Sequence, residues 1–209
     1  MAKLKTQSLL CCCLLLLCTV GARAQQQKNA TGHSHGHQPV TDSSPSVPAR
    51  LAIPDVEILD QNGKKQRLYT DLVKGRKVVI NFIYTSCTSY CPLSGDNFAR
   101  LQALLGKRMI KDVYLLSIST DPETDTPAKL KAWSARFGPK PGWTLVTGET
   151  PAMQTLLKAF LGEGPRRGEH TPIAFVLNDE RGGWQRTFGL ESPEKLLEIL
   201  GEFSAPARK

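Results

Sequence analysis

Two cysteines four positions apart are the residues of this chain whose type and spacing best suit chemistry. Cys87 and Cys91 follow residues 78–84, a run of β-branched and aromatic side chains that is typical of a buried strand. Pro92 and the helix-periodic apolar residues after it predict a helix directly behind the second cysteine. The two sulfurs are therefore expected where a strand ends and a helix begins, and there the positive end of the helix dipole favours thiolate over thiol.

The residues between this strand and this helix indicate how the cysteines are held. Thr85 and Ser86 form a polar turn that can cap the helix. If the turn that follows is helical, the i, i+4 spacing places Cys87 and Cys91 on one face. We expect this pair to form a functional site rather than part of a core.

The first 24 residues have the features of a secretory signal. Lys3 and Lys5 precede an apolar stretch at residues 8–20, and Ala22-Arg23-Ala24 is a small-x-small cleavage site. The stretch is shorter than the roughly 18–20 residues that span a bilayer, so a retained membrane anchor is the lesser alternative. We expect a protein exported to the periplasm or to the outer face of the cytoplasmic membrane, with cleavage after Ala24.

Cleavage of this signal would leave only two of the six cysteines. A single, closely spaced pair is not a disulfide scaffold. Closing so short a loop removes little chain entropy, which favours a chemical role over a structural one. A purely structural pair is the alternative. The four cysteines that would be lost are Cys11, Cys12, Cys13 and Cys18.

Residues 25–49 are polar and contain almost no large apolar side chain, so we expect this segment to be disordered. It carries His33, His35 and His37, which could hold a metal ion loosely as an auxiliary site. A solvated tail without a metal function is the alternative.

The charge of the chain argues against one class of partner. Three of its 27 basic residues lie in the signal, which leaves 24 basic and 19 acidic residues in the mature chain, a net charge of +5. The basic residues are scattered and form no stripe interleaved with aromatic residues, so we expect no binding to nucleic acid. Solubility is the simpler explanation of this charge.

The remaining pattern predicts an alternation of strands and helices around the cysteines. Residues 55–68 form a hairpin with an Asn-Gly turn at Asn62-Gly63. After the cysteine helix, the pattern predicts a strand at 113–119, a helix from Thr126-Pro127 to Gly138, a strand at 143–146, a helix at 150–161, a strand at 173–177, its hairpin partner at 184–188 and a helix at 194–203. This order indicates an α/β fold in which helices flank a mixed central sheet. It matches a thioredoxin-like fold with an N-terminal β-hairpin extension at residues 50–204, followed by a flexible tail at 205–209.

His170 is the one histidine outside the N-terminal segment, and it lies on a loop directly before a predicted strand. In a thioredoxin-like arrangement this loop faces the cysteine turn, so His170 would converge with Cys87 and Cys91. Two thiolates and an imidazole suit copper, because soft sulfur holds Cu(I) and the nitrogen accommodates Cu(II). A surface histidine with a hydrogen bond is the alternative for this residue taken alone.

Three segments in this order and spacing resemble the Sco/SenC family. They are Tyr-Thr-Ser-Cys-Thr-Ser-Tyr-Cys-Pro at 84–92, Ser-Ile-Ser-Thr-Asp-Pro-Glu-Thr-Asp-Thr-Pro at 117–127 and Glu-His-Thr at 169–171. The resemblance covers roughly residues 53–203. It implies a thioredoxin-like domain outside the cytoplasmic membrane that binds one copper ion, Cu(I) or Cu(II). It also implies a part in building the binuclear copper centre of cytochrome c oxidase, as copper chaperone, thiol reductant or both.

The same resemblance assigns roles to individual residues. The metal ligands of the family map onto Cys87, Cys91 and His170, and the two cysteines are also the redox-active thiols. Asp121 is expected to point towards the site without binding the metal. Pro172 is expected beside the cysteines, with a cis peptide bond by analogy with thioredoxin-like loops. The implied partner is a membrane-proximal one, the copper-receiving subunit of a haem-copper oxidase or another copper protein, and we expect the chain to be a monomer.

Other functions for the cysteine pair remain open. A metal-free thiol-disulfide oxidoreductase is the main alternative, although its usual motif has two residues between the cysteines instead of three. A peroxiredoxin is weaker, because Tyr84 stands where an upstream proline is expected. A structural zinc site lacks a fourth protein ligand.

Overall fold

The computed structural model describes residues 51–162 and 172–202, all of which belong to one unit, Pro45–Lys209. The predicted signal, the segment 25–49 with its three histidines, His170 and the predicted tail lie outside the described residues. In the described part of the chain, no helix is both long enough and apolar enough to cross a membrane.

One mixed sheet of seven strands forms the centre of the described residues, in the order β2-β1-β5-β4-β3-β6-β7. The three central strands β5, β4 and β3 are parallel, and β1, β6 and β7 pair antiparallel to their neighbours. The strands are β1 (Glu57–Asp60), β2 (Lys65–Arg67), β3 (Lys77–Ile83), β4 (Val113–Ser119), β5 (Trp143–Thr147), β6 (Ile173–Asn178) and β7 (Gly183–Phe188). The predicted hairpin β1–β2 thus extends the sheet beyond β5, and the predicted α/β architecture is confirmed.

Four α-helices of the described residues cover the two faces of this sheet. They are α1 (Tyr90–Leu105), α2 (Pro127–Ala135), α3 (Thr150–Leu161) and α4 (Pro193–Glu202). Successive residues of β3 alternate between two cores because side chains of a strand point to opposite faces. Val79 and Ile83 pack with α1, α2 and α4, whereas Val78, Ile80 and Phe82 pack with α3. Helices on both faces bury β3 completely, which explains its nearly continuous apolar sequence.

Local signals in the sequence place the start of α2 correctly, and side-chain caps begin both α2 and α4. Thr126 caps α2 by accepting the N–H of Lys129 at 3.3 Å, and Ser192 caps α4 by accepting the N–H of Lys195 at 3.1 Å. The predicted end of α2 was wrong, however, because the helix stops at Ala135 and not at Gly138.

A π-helical turn at Leu68–Val73 was not predicted. The N–H of Lys74 closes it by donating to the carbonyl of Tyr69 at 2.8 Å. Asp55 holds its start by accepting the N–H groups of Tyr69 and Thr70, both at 3.0 Å. The stabilising carboxylate lies more than ten residues upstream, so no local pattern indicates this turn.

Candidate metal centre

The two cysteines lie where β3 ends and α1 begins, as the sequence predicts. Cys87 is in the connecting turn, where its N–H donates to the carbonyl of Tyr84 at 3.2 Å. Cys91 is in the first turn of α1, and its N–H donates to Sγ of Cys87 at 3.4 Å. The hydroxyl of Ser89 lies 3.7 Å from the same sulfur. Both thiols are free, and the helix start holds them together.

Two local expectations about this turn were wrong. α1 begins at Tyr90 with Ser89 as its N-cap, so Thr85 and Ser86 do not cap it. Cys87 therefore precedes the helix, and the pair does not lie on one helical face. The cysteines converge because the turn folds Cys87 back over the first N–H groups of α1, which have no partner inside the helix.

The cysteines belong to the hydrophobic core as well as to the site. Cys87 is 7% exposed and Cys91 is 2% exposed, and both pack in the cluster that contains Phe98 and Trp133. The expectation that the cysteines would not be part of a core was therefore wrong. Of the two, Cys87 is the better placed to meet a reagent from solvent.

Opposing effects act on the Cys87 thiol. Its burial alone would raise the pKa, but hydrogen bonds from the Cys91 thiol and N–H and from Ser89 outweigh burial and lower the pKa to about 7. This sulfur is therefore substantially ionised near neutral pH. The predicted preference for thiolate at the helix start is confirmed at Cys87.

The Cys91 thiol behaves in the opposite way. Burial raises its pKa to about 12, and donation of its proton to Cys87 and the negative charges of Cys87 and Asp125 act in the same direction, against a backbone hydrogen bond from Tyr84. The predicted preference for thiolate is wrong at Cys91, because burial and neighbouring negative charge exceed the effect of the helix dipole. The pair thus consists of one thiolate and one thiol donor.

Asp125 is a residue of the site that the sequence did not single out. It is 1% exposed and lies in the segment between β4 and α2. Its carboxylate accepts the N–H and the hydroxyl of Thr85, at 3.1 and 2.5 Å, and the hydroxyl of Ser119 at 2.6 Å. It lies within the acidic segment after β4, but only the tertiary contact with Thr85 distinguishes it from its neighbours.

Asp121, the acidic residue that the sequence did single out, is also buried, with 7% exposure. Its N–H donates to the Ser119 hydroxyl at 3.1 Å, and its carbonyl accepts the N–H groups of Thr124 and Asp125. These contacts shape the segment in which Asp125 lies. The predicted orientation of its carboxylate towards the metal stays a prediction.

Residues 49–203 match the family described as SCO1/SenC. The chain belongs to the SCO1/SenC family. Its membership confirms the resemblance carried by the cysteine motif, the acidic segment and the Glu-His-Thr sequence.

Curated Sco proteins match much of the chain. A SCO2-like protein of Rickettsia prowazekii is 34% identical over 69% of this chain and 73% of its own length. The SCO1 protein homologue of Bacillus subtilis is 33% identical over 48% of this chain and 52% of its own length.

Solved Sco structures share the fold. The structure of Bradyrhizobium japonicum ScoI with copper bound is 27% identical, has a TM-score of 0.57 and covers 73% of this chain and 99% of that one. A Sco structure in which a disulfide switch was identified, BsSco, is 22% identical, has a TM-score of 0.63 and covers 74% of this chain and 94% of that one. The thioredoxin-like fold is therefore shown.

Of the two other residues predicted at the site of this Sco chain, the ligand His170 lies outside the described residues. Pro172 is described, and its carbonyl accepts the N–H of Gly189 at 2.7 Å. It borders a cavity of about 20 Å³, together with Asn81 of β3 and Ser94 of α1, one turn after Cys91. Pro172 therefore lies beside α1 at the start of β6. The bond from Thr171 to Pro172 lies outside the described residues.

The two sulfur donors that the structure describes fit copper. Residues 51–162 and 172–202 contain no cluster of three His, Cys, Asp or Glu side chains that could hold a metal ion. They do contain two adjacent sulfur donors. Thiolate sulfur is a soft ligand, which binds Cu(I) in preference to metals that favour oxygen ligands. A third donor would have to come from outside these residues, and His170 is the predicted one.

Proposed function

We propose that this Sco-family protein is an exported copper-binding protein that serves the assembly of the binuclear copper centre of cytochrome c oxidase, as copper chaperone, thiol reductant or both. Cys87, Cys91 and His170 would bind one copper ion as cargo. The observation that carries the proposal is the adjacent, unlinked dithiol at the start of α1. Family membership and the copper-bound structure of the Bradyrhizobium relative support it.

The two thiols would take different parts in copper binding. Cys87, with a pKa of about 7, offers a thiolate near neutral pH without a further proton acceptor. Cys91 keeps its proton until a metal ion compensates the charge of a second thiolate, so loading releases protons. The hydrogen bond from the Cys91 N–H keeps the first sulfur oriented before the metal arrives. Neutral imidazole from His170 would complete the set.

The same pair can act as a reductant. The Cys87 thiolate attacks one sulfur of a partner's disulfide, so that a mixed disulfide forms and the other partner sulfur leaves as a thiolate. Cys91, deprotonated by this leaving thiolate, then attacks the Cys87 sulfur and displaces the second partner sulfur as a thiolate, which takes a proton from water. The protein ends with a Cys87–Cys91 disulfide, and the partner gains two electrons, one proton from Cys91 and one proton from water. Oxidation also removes both sulfur ligands, so reduction and copper binding exclude each other.

The proposed setting follows from the sequence. The signal-like residues 1–24, cleaved after Ala24, would deliver the protein to the periplasm or to the outer face of the cytoplasmic membrane. There the partner would be the copper-receiving subunit of a haem-copper oxidase or another copper protein. His33, His35 and His37 would raise the local copper concentration near the site.

Anaerobic copper titration of the reduced mature chain tests the proposal. We expect one equivalent bound outside the histidine tail, with a thiolate-to-copper charge-transfer band when Cu(II) is used. Cys87→Ser should abolish the band and His170→Ala should alter it. Replacing His33, His35 and His37 together by alanine should leave this equivalent in place. Absence of stoichiometric copper in the tail-substituted protein would overturn the proposal.

A metal-free thiol-disulfide oxidoreductase is the second candidate, and the unequal thiol pKa values favour it. A nucleophilic thiolate beside a protonated partner is the arrangement that disulfide exchange requires. The two functions differ in their dependence on His170. Reduction of a model disulfide substrate by the reduced protein should survive His170→Ala, whereas copper binding should weaken. Fast exchange without stoichiometric copper binding would establish this second function.

A further inference from the structure

The segment between β4 and α2 holds a carboxylate that the proposed chemistry does not yet use. Asp125 is almost completely buried, and both of its oxygens accept hydrogen bonds from residues at the ends of β3 and β4. These two strands are parallel neighbours, with Ile83 paired to Ser119 at their last residues. The carboxylate therefore lies at the carboxyl edge of the sheet, directly beside the segment that carries Cys87.

The contact with Thr85 is the most direct link between Asp125 and the cysteines. Thr85 is two residues before Cys87 and gives Asp125 both its N–H and its hydroxyl. Hydrogen bonds to an ionised acceptor are stronger than neutral ones, so this double contact restrains the backbone where β3 leaves the sheet. The N–H of Thr120, donating to the carbonyl of Ile83 at 2.8 Å, restrains the same point from the other side.

The charge of Asp125 is not neutralised by a cation within the described residues. None of the ion pairs found in residues 51–162 and 172–202 includes it. Its three side-chain partners are a backbone N–H and two hydroxyls. A negative charge in a buried place acts over a longer distance than one in water.

We propose that Asp125 is a positioning residue of the metal centre, which anchors the cysteine turn through Thr85 and favours Cu(II) over Cu(I) through its charge. The inference rests on the proposed copper function. A centre with two thiolates and a neutral imidazole carries one net negative charge with Cu(I) and none with Cu(II). A fixed carboxylate nearby therefore repels the Cu(I) form and leaves the Cu(II) form unaffected, which shifts the balance towards Cu(II).

Two substitutions separate the anchoring from the charge. Thr85→Val removes the hydroxyl donor and keeps the Asp125 charge. Asp125→Asn removes the charge and keeps much of the hydrogen bonding, because the Thr85 and Ser119 hydroxyls can rotate to donate or accept. Thr147→Val is the matched control for the first, since the Thr147 hydroxyl is buried and has no partner among the described residues. Asp96→Asn, at an exposed position of α1, is the control for the second.

The first readout is amide hydrogen exchange of the copper-free reduced protein over residues 84–91. We expect Thr85→Val to speed this exchange severalfold and Thr147→Val to leave it unchanged. The second is the affinity of the protein for Cu(I) and for Cu(II), each measured by competition with a chelator. We expect Thr85→Val to weaken both affinities alike, and Asp125→Asn to weaken Cu(II) binding about tenfold relative to Cu(I) binding.

Each result decides between distinct explanations. Exchange in Thr85→Val equal to that in Thr147→Val would overturn the anchoring role. An unchanged ratio of Cu(II) to Cu(I) affinity in Asp125→Asn, or an equal change in Asp96→Asn, would overturn the charge role. If the wild-type protein binds no copper, the proposed function fails, whereas the exchange experiment on the copper-free protein still determines whether Asp125 anchors the turn.

Discussion

At the scale of single residues, Cys87 and Cys91 have identical side chains but different pKa values, because their environments differ. One sulfur accepts hydrogen bonds from the helix start and from its partner, and the other donates its proton and is enclosed by apolar residues. Accepting a hydrogen bond stabilises the charged form of a thiol, whereas burial and donation stabilise the neutral form. These contacts account for most of the separation between the two pKa values, and the charge of Asp125 raises the pKa of Cys91 further.

Alkylation of the copper-free reduced protein should reveal this difference. Iodoacetamide reacts with thiolate, so we expect Cys87 to be modified first, at a rate that rises with pH and is half-maximal near pH 7. Cys91 should react far more slowly at neutral pH, because its pKa is about 12. Peptide mapping by mass spectrometry measures both rates. Equal rates at pH 7 in the folded protein would contradict the assignment, and unfolded protein, in which both thiols are ordinary, is the control.

A second residue-scale prediction concerns Thr147 at the end of β5. Its hydroxyl is buried and has no hydrogen-bond partner in the described part of the chain. Thr147→Val keeps the shape and removes this unsatisfied group, so we expect the free energy of unfolding to rise by about 1 kcal/mol. Denaturant unfolding measures the change. Thr187→Val is the control, since the buried Thr187 hydroxyl donates to the carbonyl of Ala174 at 3.4 Å. Removing this hydroxyl breaks a hydrogen bond, so it should not raise the free energy of unfolding.

At the scale of elements, α1 packs closely against the segment that directly follows α2. Gly95, one turn after Cys91, faces the ring of Phe137, and a Cβ at this position would lie 2.5 Å from the ring. Phe137 has little room to move, because its ring packs 4.7 Å from that of Trp133 and 6.5 Å from that of Trp143. A glycine is therefore required here for packing.

Gly95→Ala tests this requirement. We expect a loss of about 1–3 kcal/mol in the free energy of unfolding, because the added methyl group overpacks a dense aromatic cluster. Gly201→Ala, near the end of α4, is the matched control, since a Cβ there has open space around it. That change should be neutral or stabilise by up to about 1 kcal/mol. A stabilising effect of Gly95→Ala would show that the Phe137 ring moves away from α1 without cost.

A second contact fixes the position of α1 on the sheet. Asn81, on the α1 side of β3, donates from Nδ2 to the hydroxyl of Ser94 at 2.8 Å. It interrupts the apolar run of the strand with a buried polar side chain, which is 2% exposed. Its other polar atom, Oδ1, is buried without a partner among the described residues, and Asn81 borders the small cavity beside Pro172. A cavity of about 20 Å³ is large enough for one water molecule.

At the scale of the whole molecule, copper binding should stabilise the fold under the proposed function. A ligand that binds only the folded state, at a free concentration about 100 times its Kd, adds about 2.7 kcal/mol to the free energy of unfolding. We expect this gain in the reduced protein and its loss in Cys87→Ser and in Cys91→Ser. Chemical unfolding at fixed free copper measures it. The variant in which His33, His35 and His37 are replaced should show the same increase in the free energy of unfolding. If copper no longer stabilised this variant, the binding site would lie in the histidine tail.

The sequence by itself determined the order of the strands and helices, the position of the dithiol and the family. The buried parallel strands, the helix start at Thr126 and the Asn-Gly hairpin are local patterns of hydrophobicity, capping and turn residues, and such patterns act within a few positions of the chain. The cysteine spacing is equally local. These features could be predicted because their stabilising contacts lie close together in sequence.

Only the tertiary structure decided how the cysteines are held and how they differ. The contact between Thr85 and Asp125 spans 40 positions, and the burial that raises the pKa of Cys91 comes from packing among β3, α1 and α2. Thr85 looked like a helix cap from the sequence, because a hydroxyl beside a helix start commonly has that role. A buried carboxylate is a stronger acceptor for its hydroxyl, and this carboxylate reaches Thr85 only when β3 and β4 lie side by side.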